Sequence, residues 1–304
     1  MVKVFSKLIK INPSHVKDRT PLGIPNSVSN YLMLTPQQSI LTELKGLDEF
    51  INHAIKSNQI FTDKIINVEF INYGRTQLVF VATNDKGVQQ TLIVNQPATK
   101  LGVGKQEFEN LNRLNQLDSN LVIKPISYYQ KDGHELYSTP YYLQARCIGI
   151  ETHDWGRWIP EPMYRFKQFD EIEKTMVNEL MVASLIKLYD QENHQGVAKC
   201  RLDGGDFMLL KDIEGCEITY ENIFKNLKLI AAREMIEMNL DAYIDQLRIE
   251  LTDNKLKSSE LKILGRKLKR PLEVQEFNMG IAIGMELRNQ KKNLNQDRIE
   301  KELI

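Results

Sequence analysis

The spacing of apolar residues along the chain changes from a helical period to a strand period and back again. A helical pattern covers residues 35–57. Short segments rich in Val, Ile, Tyr and Phe follow, interrupted by one helix at Gly104–Leu117. The predicted strands are Ile65–Ile71, Gln77–Thr83, Gln90–Val94, Leu121–Tyr129 and Glu135–Leu143. Turn residues at Asn84–Gly87 and Lys131–Gly133 indicate hairpins, so we expect an antiparallel sheet.

Beyond Trp158 the pattern becomes mainly helical, with one hairpin inside it. The hairpin is predicted from an apolar strand at Phe207–Lys211, a turn at Asp212–Gly215 and a returning strand at Cys216–Tyr220. The predicted helices are Asp170–Tyr189, Tyr220–Thr252, Ser258–Lys269 and Leu272–Asn289. The predicted fold class is therefore α+β, with an N-terminal antiparallel sheet that carries one inserted helix and a mainly helical C-terminal lobe.

Composition narrows the class of protein without naming a ligand. Of the 304 residues, 42% are hydrophobic, which is ample for a large core. Because 40 basic residues balance 40 acidic ones, no overall charge favours nucleic acid or an anionic membrane as a partner. Three cysteines without CxxC spacing and five histidines without metal-ligand spacing predict a cytoplasmic protein lacking disulfides and structural zinc. We expect neither a secretion signal nor a membrane span.

Three acidic residues lie at the two ends of the predicted hairpin. Asp203 and Asp206 come just before it and Glu221 just after it, so the three carboxylates are able to converge on one point. Such a group repels itself unless a cation or a proton neutralises it, and carboxylate oxygens suit Mg²⁺. The alternative is a solvated turn in which the three acids never meet.

Four features, in this order along the chain, are similar to features of known phosphotransferases. They are Phe70–Phe80, Gln90–Asn95, Lys105–Leu111 and the acids Asp203, Asp206 and Glu221. Their order resembles the protein-kinase-like fold, and in detail the aminoglycoside phosphotransferase and choline kinase group. The similarity covers roughly residues 60–290.

The resemblance implies ATP and Mg²⁺ as cofactors. The residues at the nucleotide site would be Gly74, Asn95, Lys105 and Glu107. Asp203 would be the catalytic base, and Asp206 and Glu221 would hold the metal. Catalysis of this kind consists mostly of positioning and charge neutralisation, which is why a base, metal ligands and a cation are all required.

A two-lobed arrangement follows from the same resemblance. The expected division is residues 1–59 as an N-terminal arm and helix, 60–150 as the nucleotide-binding lobe, 151–290 as the helical C-terminal lobe and 291–304 as a charged tail.

The position of Glu107 on the inserted helix predicts that its side chain is buried. It lies four and seven residues before Leu111 and Leu114, so it is expected to share their buried face. A buried carboxylate needs a cation, and Lys100 and Lys105 are the nearest candidates along the chain. The alternative is that Glu107 lies at the rim of the helix and is solvated.

The sequence departs from the family pattern at several positions. The third predicted strand ends in Asn95 where the resemblance requires lysine or arginine, and asparagine carries no positive charge. The segment at Asp203 lacks the usual histidine, an ungapped count places Met208 at the position of the expected asparagine, and the last acid is Glu221 in place of aspartate. These departures are compatible with an atypical kinase and with a member that has lost catalysis.

Two functions from different classes therefore remain open. The first is an ATP- and Mg²⁺-dependent phosphotransferase that acts on a hydroxyl or amino group of a small molecule. The second is a non-catalytic kinase-like binding or scaffold protein, which would meet a protein partner through the N-terminal arm or the basic run at 255–270.

Overall fold

The fold belongs to the α+β class, as the periodicity predicts. The structure, a computed structural model, describes residues 3–4, 9–11, 47–57, 64–73, 77–95, 102–140, 144–146, 171–198, 200, 206–210, 219–256 and 277–290. The chain divides into two compact units. The first comprises Met1–Asn112, Lys124–Tyr142 and Trp158–Pro160, and the second comprises Arg113–Ile123, Leu143–Arg157 and Glu161–Ile304. The domain boundaries expected from the sequence stay predictions.

The described strands and helices are numbered here in chain order. The strands are β1 (Lys3–Val4), β2 (Ile9–Ile11), β3 (Ile65–Tyr73), β4 (Gln77–Asn84), β5 (Gln89–Asn95), β6 (Ser127–Lys131), β7 (His134–Pro140), β8 (Gln144–Arg146), β9 (Gln195–Ala198), β10 (Phe207–Leu210), β11 (Leu227–Leu229) and β12 (Glu234–Glu237). The helices are α1 (Leu47–Lys56), α2 (Val103–Leu117), α3 (Glu171–Lys187), α4 (Tyr220–Asn226), α5 (Leu240–Leu256) and α6 (277–290). Among the described residues, no helix is both long enough and apolar enough to cross a membrane.

The first unit contains a seven-stranded sheet in the order β1-β2-β3-β4-β5-β7-β6. Neighbouring strands are antiparallel except β2 and β3, which are parallel. The two short N-terminal strands show that described parts of the predicted arm add to one edge of this sheet. The strand β7 lies between β5 and β6, although β6 comes first along the chain.

Helices α1 and α2 pack on opposite faces of this sheet. Side chains of successive strand residues alternate between the faces, so Tyr128 and Tyr129 point in opposite directions. Tyr129 belongs to the core that α1 covers, whereas Phe108 of α2 contacts Tyr128 and Tyr137, with ring centroids 5.7 and 6.4 Å apart. The α1-side core consists of Leu47, Phe50, Ile51, Ala54, Ile65, Val68, Leu78, Phe80, Ala82, Leu92, Val94, Tyr129 and Leu136.

The second unit combines short strands with helices. Its sheets are β11-β10-β8 and β12-β9, both antiparallel. Helix α6 approaches α3 closely through two glycines one turn apart: a Cβ on Gly280 would lie 2.8 Å from the carbonyl oxygen of Glu179, and one on Gly284 would lie 2.9 Å from the Cβ of Ile186. One turn further along α6, buried Arg288 donates from Nη1 to the carbonyl oxygen of Ile186 at 2.8 Å, which satisfies the C-terminal end of α3.

The prediction that residues 216–220 form the strand returning beside β10 is wrong. Thr219 caps a helix, because its hydroxyl accepts a hydrogen bond from the Asn222 amide, and Tyr220 begins α4. The strands that pair with β10 are β11, with Phe207 opposite Leu229, and β8, with Met208 opposite Arg146. Residues 211–218, which contain the predicted turn, lie outside the described residues.

The prediction of one helix over Tyr220–Thr252 is also wrong. That segment forms α4, β11, β12 and most of α5. Its Lys, Ala, Met and Glu residues favour helix locally, but pairing with β10 and β9 overrides this preference. The Ser258–Lys269 helix lies outside the described residues.

A smaller correction concerns the predicted strand Leu121–Tyr129. Only its second half is a strand, namely the start of β6. In its first half, Leu121 and Ile123 exchange backbone hydrogen bonds with Leu229 in the second unit. Pro125 lies between the halves and has no N–H to continue a ladder, which accounts for the break.

Candidate functional site

Asn95, at the end of β5, belongs to a buried polar cluster on the α2 side of the sheet. Its side-chain amide donates to Oε2 of Glu135 at 3.1 Å and accepts from Nε2 of Gln77 at 3.4 Å. The Gln77 amide also donates to Oε2 of Glu107 on α2. Four side chains from three strands and one helix are thus joined by hydrogen bonds. We call these residues the strand-end cluster.

Glu135 is the acceptor at the centre of this cluster. Its carboxylate is buried and accepts from the hydroxyl of Tyr128 at 2.7 Å and from the backbone amides of Gly104 and Lys105 at 3.1 and 3.3 Å, in addition to Asn95. Those two amides belong to the first turn of α2, so Glu135 supplies the negative charge that a helix N-terminus favours. It does so from a strand, since α2 has no acid in its own first turn.

The hydrogen bonds decide the ionisation of Glu135. Burial raises the pKa of this carboxyl, but the hydrogen bonds from Tyr128, Gly104 and Asn95 outweigh burial and hold the pKa below its ordinary value. The pKa of Tyr128 is raised, first by burial and then by its hydrogen bond to Glu135. Glu135 is therefore an ionised, structurally engaged carboxylate.

Gly104 allows α2 to approach this cluster. A Cβ at this position would lie 2.4 Å from Nδ2 of Asn95 and 3.2 Å from Cβ of Glu135. Contacts this short are not tolerated without movement, so the absence of a side chain lets the first turn of α2 reach both residues.

Glu107 is fully buried, together with Leu111 and Leu114, which confirms the predicted face of α2. The alternative of a solvated rim position is wrong. Lys105 projects from the exposed side and pairs with Glu109 at 3.8 Å, with both side chains about three-fifths exposed at 58% and 62%. The expected basic partner of Glu107 stays a prediction, because Lys100 lies outside the described residues.

Asp206 lies immediately before β10 in the second unit and pairs with an arginine. Its Oδ1 is 2.9 Å from Nη1 of Arg233, and its side chain is only 3% exposed. Arg233 follows β11, and the backbone amide of Ile230 donates to the carbonyl oxygen of Asp206 at 2.8 Å. The pairing of β10 with β11 therefore places the acid beside the arginine.

Glu221 has a different setting from Asp206. It lies in the first turn of α4, where it is exposed and its negative charge stabilises the positive end of the helix dipole. Asp203 and Gly74 lie outside the described residues. The shared cation predicted for Asp206 and Glu221 stays a prediction.

Mg²⁺ takes oxygen ligands in near-octahedral geometry. One oxygen of Asp206 is bonded to a guanidinium, and Glu221 lies in the first turn of α4. Within the described ranges, no group of three or more His, Cys, Asp or Glu side chains could hold a metal ion.

A second buried carboxyl, Glu179 on α3, contrasts with Glu135. Burial raises its pKa, although the hydrogen bond from the Tyr220 hydroxyl lowers it in part. Burial and then the hydrogen bond to Glu179 raise the pKa of Tyr220 to about 12. Glu179 therefore favours its protonated form more than an exposed glutamate does.

Three of these residues were not singled out by the sequence. Gln77 and Glu135 are the first residues of two predicted strands, and no spacing in the sequence distinguishes them from other polar residues at strand ends. Arg233 lies in a segment that favours helix, so its position beside Asp206 depends on a strand pairing that local sequence does not reveal.

No protein-family model matches the sequence, and no curated protein matches it. The residues themselves are therefore the basis of the functional proposal.

Proposed function

We propose that this chain is a non-catalytic kinase-like protein, which acts by binding rather than by transferring phosphate. The Asp206–Arg233 ion pair carries this proposal. A carboxylate that holds a catalytic metal must offer its oxygens to the ion, but this carboxylate is buried against a permanent cation of the protein.

The strand-end cluster supports the same function. Where the resemblance requires a lysine or arginine to meet phosphate, Asn95 is neutral and its amide bonds both Glu135 and Gln77. An amide bonded to a buried carboxylate and to a half-buried amide is a structural group. Loss of this cation weakens the electrostatic stabilisation on which phosphoryl transfer depends. In this proposal the protein partner binds through the N-terminal arm, and a nucleotide is a second candidate ligand.

A second candidate function is the ATP- and Mg²⁺-dependent phosphotransferase with a small-molecule acceptor. The observation in its favour is Glu107, which is buried on the sheet-facing side of α2 and linked through Gln77 to the end of β5. The kinase resemblance implies the same arrangement, in which an acidic residue of the helix lies near the end of this strand. Asp203 would be its catalytic base.

Phosphate transfer from labelled ATP, with Mg²⁺, distinguishes these two functions. The wild-type chain and Asp203→Asn are compared across a panel of aminoglycosides, choline, sugars and protein substrates. We expect no transfer by the wild type above the level of the variant. Transfer that is lost in Asp203→Asn would overturn the non-catalytic proposal and establish the phosphotransferase.

Binding is tested separately from transfer. Thermal unfolding is followed with ATP, with and without Mg²⁺, because a ligand that binds only the folded state raises the melting temperature. Removal of residues 1–11 tests the arm: we expect loss of the protein partner in a pull-down with the full chain as reference. Retention of the same partner by the shortened chain would contradict a role for the arm.

A further inference from the structure

We infer that Arg233 provides, from within the chain, the positive charge that a divalent cation would otherwise provide at Asp206. The inference rests on the proposed function only in identifying Asp206 as the acid concerned. The chain has no use for Mg²⁺ at this position, because its own guanidinium neutralises the carboxylate.

The geometry is fixed by the backbone. Phe207 pairs with Leu229 at the end of the β10–β11 ladder, and the next hydrogen bond runs from the Ile230 amide to Asp206 itself. Arg233 lies four residues after the end of β11, and its Nη1 atom is 2.9 Å from Oδ1 of Asp206. The ion pair thus joins the two chain segments at the point where they leave the ladder.

Burial explains why the carboxylate needs this partner. The Asp206 side chain is 3% exposed, so an ionised group there would bear a large desolvation penalty without a cation beside it. The Arg233 side chain is 37% exposed, so it is less completely desolvated than the carboxylate that it pairs with. Because arginine stays protonated throughout the usual pH range, the neutralisation is permanent.

A divalent cation would have to compete with this arrangement. An ion bound to Asp206 would either displace Arg233 or lie beside it, and two positive groups at a few ångströms repel each other. Mg²⁺ also loses its water shell reluctantly. The ion pair therefore opposes Mg²⁺ binding at Asp206.

Removal of the arginine charge should create a response to Mg²⁺. Arg233→Gln removes the guanidinium charge from beside the buried carboxylate, so this variant is expected to melt at a lower temperature than wild type. With 10 mM MgCl₂, as against NaCl of equal ionic strength, we expect a rise of about 2 °C or more in this variant and no specific rise in wild type. The rise should vanish in the double variant Asp206→Asn, Arg233→Gln.

Two further variants make the test decisive. Arg233→Lys keeps the charge and should behave as wild type, with no specific Mg²⁺ response, even where Arg233→Gln fails to fold. Arg248→Gln removes an arginine that pairs with Asp245 at 2.8 Å and lies over the Phe277 ring at 5.0 Å, and it should give no Mg²⁺ response. A Mg²⁺-specific rise in wild type that is lost in Asp206→Asn overturns the inference. So does an Arg233→Gln protein that folds but gives no Mg²⁺ response. Either result is independent of whether phosphate transfer is observed.

Discussion

At the scale of single residues, two buried glutamates have opposite environments. Glu135 receives hydrogen bonds from four donors and has a lowered pKa, whereas burial dominates at Glu179 and raises its pKa. The same substitution by glutamine should therefore change the stability of the protein in opposite directions. The contrast tests both assignments in one experiment.

Glu135→Gln should destabilise the protein at neutral pH by about 1.5–3 kcal/mol, because charge-assisted hydrogen bonds to the first turn of α2 are lost. The folded-state pKa of Glu135 lies below its ordinary value of 4.5, so its stabilising contribution is present above that pH and is lost as pH falls through the folded pKa. Urea unfolding at pH 7 and pH 3.5 should show a smaller difference at the lower pH. Glu109→Gln is the exposed control, with an expected effect below about 0.5 kcal/mol. An equal effect of both variants would contradict the role of Glu135.

Glu179→Gln should raise the free energy of unfolding at pH 7. The folded-state pKa of Glu179 lies above its ordinary value, so its favourable contribution is present below pH 4.5 and is lost as pH rises through the folded pKa. Glutamine resembles the protonated carboxyl and still accepts from the Tyr220 hydroxyl. The same urea series should show a gain at pH 7 that disappears near pH 4. A loss of stability at pH 7 would show that the ionised form is the stabilising one.

At the scale of elements, helix α6 is able to lie close to α3 because Gly280 and Gly284 have no side chains. Gly280→Ala and Gly284→Ala would each gain about 1 kcal/mol of helix propensity. Their Cβ atoms, however, would lie 2.8 and 2.9 Å from atoms of α3, so we expect a net loss of about 1–3 kcal/mol. Ala282→Gly, at an exposed position of α6, is the control and should lose only the propensity term. Chemical denaturation measures all three, and a gain in stability from either alanine would show that the helices are able to move apart.

Sequence patterns located the regular elements well where local signals agree. The predicted strand Gln77–Thr83 is one residue shorter than β4 at its C-terminal end, and Gln90–Val94 is one residue shorter than β5 at each end, since alternation and flanking turns favour nearly the same bounds. Residues 227–237 could not be predicted in this way. Their local preference is helical, and the pairing that overrides it joins them to strands distant in sequence.

The candidate site residues also divide into those that local sequence predicts and those that depend on pairing between distant segments. The buried face of Glu107 follows from spacing along one helix and was predictable. The ion pair of Asp206 with Arg233 was not, because the strand expected to return to Asp206 was assigned to residues 216–220. Because one strand partner was assigned wrongly, a carboxylate was expected beside Asp206, where the structure has an arginine.

At the scale of the whole molecule, the first unit is not a continuous piece of chain. Residues 1–112 contain β1 to β5 but lack β6 and β7, which complete its sheet. A fragment of residues 1–112 should therefore show no cooperative thermal transition by circular dichroism, since β5 loses its partner and α2 loses Glu135. A fragment of residues 1–142 contains the whole sheet and should unfold cooperatively. Cooperative unfolding of the shorter fragment would contradict the structural role of β7.

The position of β7 between β5 and β6 also sets the order in which the sheet is able to form. The strands β3, β4 and β5 are neighbours both in sequence and in space, so they are able to pair as soon as they exist. The next contact joins Leu92 to Ser138, across the whole of α2 and β6. Closing so long a loop is slow compared with forming a hairpin. Until it closes, the backbone of β5 is an open edge that another chain is able to pair with, so refolding at high protein concentration should be limited by association at this strand.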